Sequence, residues 1–498
     1  MMKTFLFITI IALFLLAPIS SVQAVQSQSK DIDFSALDSY VLAQMEKHAL
    51  PGAALAVVQG DVVIYQKGYG KAGSSPVTPQ TKMMIGSQSK SFTALAVAQL
   101  IEAGKVELNA SVQTYIPWFQ VADEKASSKI TVKNLLHHTS GLSEAGFSVV
   151  LPDEATPEDA VRALSQAQLS KPVGTKFQYF NLNYSVLAYL VETVSGQSYA
   201  SYLQEKIFTP LGMISTSADP SAAGDLDRSY TRLFGFPVPM KQPVRVYGIG
   251  AGYIVSTAED MARYAAAMNN GGELGSTRLI STETARILFT PWLDGYAMGW
   301  MVAENGQKIF HGGANETFGT DVNLYPKHDL AFVLMINEGH LVDHYLSIEQ
   351  LTVGVEAILL GQTPPAVSQG WSVKILGWGI GALVLALLAL NAWNFYRLFH
   401  GWKERMSSLT PLKKGLDVAI SFIIPTVILL IVFIQMQSFF GYRFNLLTNL
   451  AQFRFSLPDI FILMLVGSVF DYIQGIIKVG WILAGKTSSK PVSVPAYS

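Results

Sequence analysis

Ser87 and Lys90 stand three residues apart in Ser87-Gln88-Ser89-Lys90, directly ahead of Ser91-Phe92-Thr93-Ala94-Leu95-Ala96-Val97-Ala98-Gln99-Leu100-Ile101. Apolar residues in that run recur at three- and four-residue spacing, the pattern of a buried helix. A Ser on the first helical turn, with Lys three residues later, puts hydroxyl and amine on one face about 5–6 Å apart at Cβ. The helix N-terminus adds partial positive charge that favours negative charge developing at the Ser. Together these features make an activated nucleophile. The same tetrapeptide occurs at residues 27–30, where no apolar periodicity follows. Spelling alone therefore does not mark the site; partners further along the chain must.

Two such partners are present. Tyr179-Phe180-Asn181 lies just ahead of a helical pattern. A phenol beside an ammonium is more easily deprotonated, because the cation stabilises the phenolate, so Tyr179 near Lys90 is suited to taking the Ser87 proton. The Asn181 amide carries both donor and acceptor, which suits holding Lys90 while contacting a substrate amide. His311-Gly312-Gly313 follows a strand-like run. Glycines there let a substrate backbone approach and pair along the strand edge. His137 and His138 read as structural residues at a helix end before the Thr139-Ser140-Gly141 turn. The scattered His, Asp and Glu of residues 328–344 lack a metal-ligand pattern, and no metal or other cofactor is assigned.

In this order the three motifs closely resemble the penicillin-binding-protein-like serine hydrolases that include the class C β-lactamases, whose class A relatives carry the S-x-x-K, S-D-N and K-T-G set. Leu136-His137-His138-Thr139-Ser140-Gly141-Leu142, Pro210-Leu211-Gly212-Met213 and the run from Gly252 to Met261 resemble the same family. The resemblance implies an α+β fold, with an antiparallel sheet flanked by helices, an all-helical subdomain, and the site between them. It implies that Ser87 forms an acyl-enzyme, that Lys90 and Tyr179 share the proton transfers, and that the backbone N–H groups of Ser87 and Ala314 form the oxyanion hole. Asn315 and Glu316, just past the third motif, either line the site or are solvated loop residues. One departure stands out. The β-lactamases of this family begin the third motif with Lys, and His311 supplies no fixed charge for a substrate carboxylate near neutral pH. The expectation is a peptidase acting on peptides or amides with a D-residue, rather than a strong β-lactamase. The alternatives are an esterase, a non-catalytic penicillin-binding sensor, or a peptidase of the colibactin type that removes an acylated D-Asn group. The layout of signal peptide, hydrolase and C-terminal spans resembles that last group, in which Asn315 would meet the D-Asn side chain.

The elements that must position these residues read as follows. Residues 54–65 form a β-hairpin through Gly60-Asp61, Asn305-Gly306 signals another, and residues 330–336 form an apolar strand after a Pro326-Lys327-His328-Asp329 turn. Helical patterns, as at residues 185–193 and 258–268, lie between. Strands at both ends with helices between argue for an antiparallel sheet whose terminal segments pair.

The 498 residues are 50% hydrophobic and only 14% charged, too apolar for a purely soluble chain. A net charge of −1 gives no electrostatic case for nucleic acid, and the absence of Cys excludes disulfides and thiolate chemistry. Residues 1–24 have the pattern of a signal peptide. Residues 31–361 then form the hydrolase domain and 362–370 a linker. Residues 371–485 hold three membrane spans at about 375–393, 418–434 and 460–481, the third carrying Asp471 and Lys478 on one face. The alternative is a third segment that ends near Phe470. Arg397, Lys403, Arg405, Lys413 and Lys414 between the first two spans put that loop and the C-terminus in the cytoplasm and the hydrolase domain outside, at the cell membrane. The expected partners are a small peptide or amide substrate and the bilayer. Gly377 and Gly381 form a GxxxG suited to self-association of the spans.

Overall fold

The computed structural model describes residues 32–487 except 227, 340–343, 369–371, 402–403, 405–407, 409 and 441–457. The expected signal peptide and the first Ser-Gln-Ser-Lys copy lie outside the described residues.

After helix α1 (Phe34–His48), strands β1 (Gly52–Gln59), β2 (Val62–Ala72) and β3 (Ser75–Pro76) form one half of the main sheet. Helix α2 (Ser89–Glu102) carries Lys90 and α3 (Asn181–Ser195) begins at Asn181. Strands β4 (Tyr230–Leu233) and β5 (Phe236–Pro239) pair as a separate hairpin, and α4 (Ala258–Asn269) follows. Strands β6 (Met301–Val302), β7 (Ile309–Ala314), β8 (Gly319–Tyr325) and β9 (Leu330–Ile336) complete the sheet in the order β6-β7-β8-β9-β1-β2-β3. Neighbours are antiparallel throughout, and β1 meets β9 from Ala53↔Ile336 to Gln59↔Leu330. The two ends of this region thus pair as the sequence predicts, and both predicted hairpins form.

The alternation along β1 shows why the sheet is covered on both faces. Ala54, Ala56 and Val58 point into one core with Val333 and Met335. Ala53, Leu55 and Val57 point into the other with Phe332, Leu334 and α1 residues Leu37 and Val41. Small side chains on the first face leave room for α4, whose Ala262, Ala265 and Ala266 are fully buried. Helix α5 (Glu349–Leu359) packs beside α1 on the second face through Leu351 and Val355. Each fully buried aliphatic side chain contributes roughly 1.5–3 kcal/mol. Helix α2 is buried on nearly every side, from Ser89 to Ala98, which fits its continuous apolar composition and makes it a fixed axle for the site.

Beyond α5 lie three long helices, α6 (Val373–Phe399), α7 (Pro411–Phe440) and α8 (Pro458–Thr487). Within them Val373–Phe399 and Pro458–Ala484 are long and apolar enough to cross a membrane. The second expected span falls within α7, which contains Pro425. Phe395 meets Phe470 and Phe399 meets Trp481, so α6 and α8 run parallel. Lys478 faces the bundle as expected, and its partner is Asp417 of α7 at 2.9 Å. Among the described residues of this chain, the GxxxG of α6 meets the turn of a hairpin rather than a helix. A Cβ on Gly377 would lie 2.0 Å from Gly235 N, and one on Gly381 3.2 Å from Phe234 Cβ. The notch holds the turn of the β4–β5 hairpin.

Candidate active site

Ser87 sits on a 3-10 turn, Gly86–Gln88, that leads into α2 at Ser89. It is two residues ahead of the α-helix rather than on its first turn. The three-residue relation survives, and Lys90 Nζ lies 3.1 Å from Ser87 Oγ. Gly86 has φ +54, and a Cβ there would come within 2.5 Å of Ala314 N and 2.7 Å of Asn315 Oδ1. The turn thus needs glycine both for its backbone conformation and for its contact with β7. A Cβ on Gly313 would sit 2.1 Å from Ile85 O. Two glycines, one on each side, bring the nucleophile against the end of β7. Thr320 Oγ1 donates to Ile85 O at 2.8 Å and locks the same turn to β8.

Lys90 is fully buried. Besides Ser87 it meets Asn181 Oδ1 at 2.8 Å and Ala251 O at 2.7 Å. Burial drives its amine well below the ordinary 10.5, against the opposing pull of the Glu144 carboxylate. A desolvated lysine loses stability in its charged form. In the neutral form two N–H bonds satisfy Asn181 and Ala251, and the lone pair is left for Ser87. Tyr179 stands beside this amine, with Lys90 Nζ 4.7 Å from its ring centroid. At 38% exposure it also faces outward.

His138 clamps Tyr179 from behind. Gln178 N donates to His138 O at 2.7 Å, and Phe180 N donates to His138 Nδ1 at 3.2 Å. Asn183 Nδ2 lies 3.1 Å from the same nitrogen, and the His138 ring centroid is 4.4 Å from that of Tyr179. Burial, then the Lys90 charge, pushes His138 well below its ordinary 6.5. It is therefore neutral with Nδ1 as acceptor, as both contacts require. His138 is structural, as the sequence suggests, but what it holds in place is the site.

His311 is buried, with Nδ1 2.6 Å from Gly312 O and Nε2 3.3 Å from Tyr296 Oη. A carbonyl can only accept, so Nδ1 carries the proton. Burial raises the Tyr296 phenol well above its usual range, so that it stays a donor. Strand β6 pairs with β7 only at Met301↔Phe310 and Val302↔Ile309. Among the described residues no strand pairs with the outer edge of Gly312, Gly313 and Ala314, next to Ser87. Asn315 Nδ2 donates to Gly252 O at 3.0 Å. Glu316 accepts from Arg245 Nη1 at 2.8 Å and from Gln242 Nε2 at 2.6 Å.

All the predicted residues meet at one place: the α2 turn, the start of α3 and the end of β7. The beta-lactamase family profile matches residues 37–351. The chain belongs to the beta-lactamase family. Similar proteins include Protein flp of Staphylococcus aureus, 27% identical over 324 residues, covering 60% of this chain and 62% of that one. The Unguisins hydrolase ungD' of Aspergillus campestris is 31% identical over 334 residues, covering 62% of this chain and 61% of its own. The chain thus spans about three-fifths of the length of these curated relatives. The octameric penicillin-binding protein homologue from Pyrococcus abyssi superposes with a TM-score of 0.58 at 26% identity, covering 67% of this chain and 78% of that one. The fold is that of the beta-lactamases and penicillin-binding proteins.

Several parts of this beta-lactamase-family site escape sequence reasoning. Ala251 contributes a backbone oxygen, which no side-chain motif can announce. Tyr296 joins the site through tertiary contacts with His311, Tyr179 and His138. Glu144, partly buried on the turn Glu144–Gly146, has its carboxyl pushed up to about 7 by desolvation, while Lys90 opposes the shift. Its only sequence signal is nearness to the Ser140-Gly141 turn. Among the described residues no group of three metal-ligating side chains converges.

Proposed function

We propose that this chain is a membrane-anchored serine hydrolase that works outside the cytoplasm through an acyl-enzyme, as a peptidase on D-residue-containing peptides or amides. The observation that carries this is the desolvated Lys90 amine 3.1 Å from Ser87 Oγ, beside a strand edge open for a peptide. Neutral Lys90 takes the Ser87 proton as Oγ attacks the carbonyl carbon. The N–H groups of Ser87 and Ala314 stabilise the oxyanion, and the amide C–N bond breaks as Lys90 and Tyr179 return the proton to the leaving amine. Water then enters, loses a proton to the same pair, and releases the acyl group as a carboxylic acid. Gly312 and Gly313 let the substrate backbone pair along β7.

Two features argue against strong β-lactam hydrolysis. His311 is engaged by Tyr296 and Gly312 O, and the neighbouring cation Arg245 is paired with Glu316. The Asn315 amide donates to Gly252 O, so it gives the D-Asn-specific reading no particular support. The cationic residues between α6 and α7 support an external hydrolase domain.

The test is gel labelling with a fluorophosphonate and a fluorescent penicillin, comparing wild type, Ser87→Ala and Ser27→Ala. Labelling should vanish only in Ser87→Ala; labelling that survives Ser87→Ala would refute the assignment. Mass spectrometry of D-Ala-D-Ala peptides and N-acyl-D-Asn amides incubated with the protein then separates the substrate classes.

A further inference from the structure

The β4–β5 hairpin touches the C-terminal helices at one end and the edge of the active site at the other. At its turn, Phe234 and Gly235 both take positive φ, +51 and +83. A bulky residue rarely adopts that conformation without being held there. The turn is held by two helices. It fills the Gly377 and Gly381 notch of α6, and Phe234 N donates to the buried Asp459 Oδ1 of α8 at 2.9 Å.

The strand ends reach the site. Arg232 Nη1 donates to Gly235 O at 3.0 Å, and Nη2 donates to Glu338 Oε2 at 2.7 Å, with both side chains almost wholly buried. Tyr230 N donates to Asn337 O and Gly339 N donates to Tyr230 O, both at 3.0 Å. Gly339 lies flat on the loop after β7, since a Cβ there would be 2.4 Å from Asn315 O and 2.5 Å from Thr317 N. A buried ion pair tolerates little displacement, because separating the charges leaves each without its compensation.

We infer that this hairpin is a strut through which the C-terminal helices set the position of residues 315–317, which makes Arg232 and Asp459 positioning residues for substrate binding along β7. The inference rests on reading that loop as the rim of the substrate site. The helices are then a working part of the hydrolase as well as its anchor.

The full-length chain in lipid nanodiscs provides the test. In Gly377→Leu the new side chain overlaps the Gly235 backbone, yet leucine suits a membrane helix. Gly379→Leu is the control, since a Cβ there meets nothing within 4 Å. Two readouts apply: hydrogen exchange of amides 313–318, and kcat and KM for an N-acyl-D-alanyl p-nitrophenyl ester. Gly377→Leu should speed exchange and raise KM about tenfold, with kcat within about twofold, as expected when positioning rather than chemistry is lost. Asp459→Ala should do the same, and Asp459→Asn, which keeps the acceptor for Phe234 N, should restore wild-type values. Unchanged exchange in Gly377→Leu, or an equal effect from Gly379→Leu, overturns the strut. Absence of ester turnover in wild type would instead overturn the proposed function, while the exchange measurement still decides the strut.

Discussion

Replacing Asn181 with Asp changes one atom type and places a negative charge where Lys90 now finds a neutral oxygen 2.8 Å away. At that distance the attraction between unit charges is ~6 kcal/mol at an effective dielectric of about 20 and ~1.5 kcal/mol in bulk water. The outer side of Asn181 is exposed, so screening places the effect towards the lower figure. Since 1.36 kcal/mol corresponds to one pH unit, the ascending limb of Ser87 acylation should move up by about one to four pH units. Below the displaced limb the rate should fall about tenfold per pH unit, because only neutral Lys90 accepts the proton. The assay is the second-order rate of fluorophosphonate labelling across pH, on wild type and Asn181→Asp, with Asn181→Ala as the uncharged control. The reasoning fails if Asn181→Asp keeps the wild-type limb, for then the protonation state of Lys90 does not govern the nucleophile.

Three further outcomes are expected. Glu144, held up to about 7 in the folded chain against an ordinary 4.5, keeps its full contribution to stability below the unfolded carboxyl's range and loses it as pH rises through 7. In thermal melts, Glu144→Gln should therefore gain on wild type between pH 5 and 8, by up to ~3 kcal/mol; a constant difference across that range would contradict the burial of the carboxyl. Gly313→Ala places its methyl 2.1 Å from Ile85 O, which should cost about 1–3 kcal/mol of stability and slow labelling sharply; a variant that melts and labels like wild type would show that the nucleophile turn and β7 are not in contact. His138→Ala strips the acceptor from Phe180 N and Asn183 Nδ2 and should destabilise by about 1–3 kcal/mol. It should also lower kcat more than it raises KM, because Tyr179 loses its clamp; steady-state kinetics on a D-alanyl ester would separate the two.

The chemistry of the site was legible in the sequence because its local part is built at helical spacing. Ser87 and Lys90 meet because three residues span one helical turn, and that relation holds on a 3-10 turn as well as on an α-helix. The paired terminal strands were legible through their apolar runs bounded by the Gly60-Asp61 and Pro326-Asp329 turns, the pattern of strands buried on both faces. Tertiary structure alone decided how the distant partners meet. Ala251 O completes the Lys90 environment through a backbone atom that carries no sequence signature. His138 reaches around Tyr179 only because its own backbone takes a positive φ of 54. The glycines of α6 read as a helix-pairing motif, and a small-residue notch accepts any backbone that can enter it; here the entrant is the turn of the β4–β5 hairpin. Sequence spacing determines what a helix turn or strand offers on one face. Which surface comes to meet that face depends on packing among elements far apart in the chain, and that is where the Lys90 environment, the Tyr179 clamp and the link to the C-terminal helices arise.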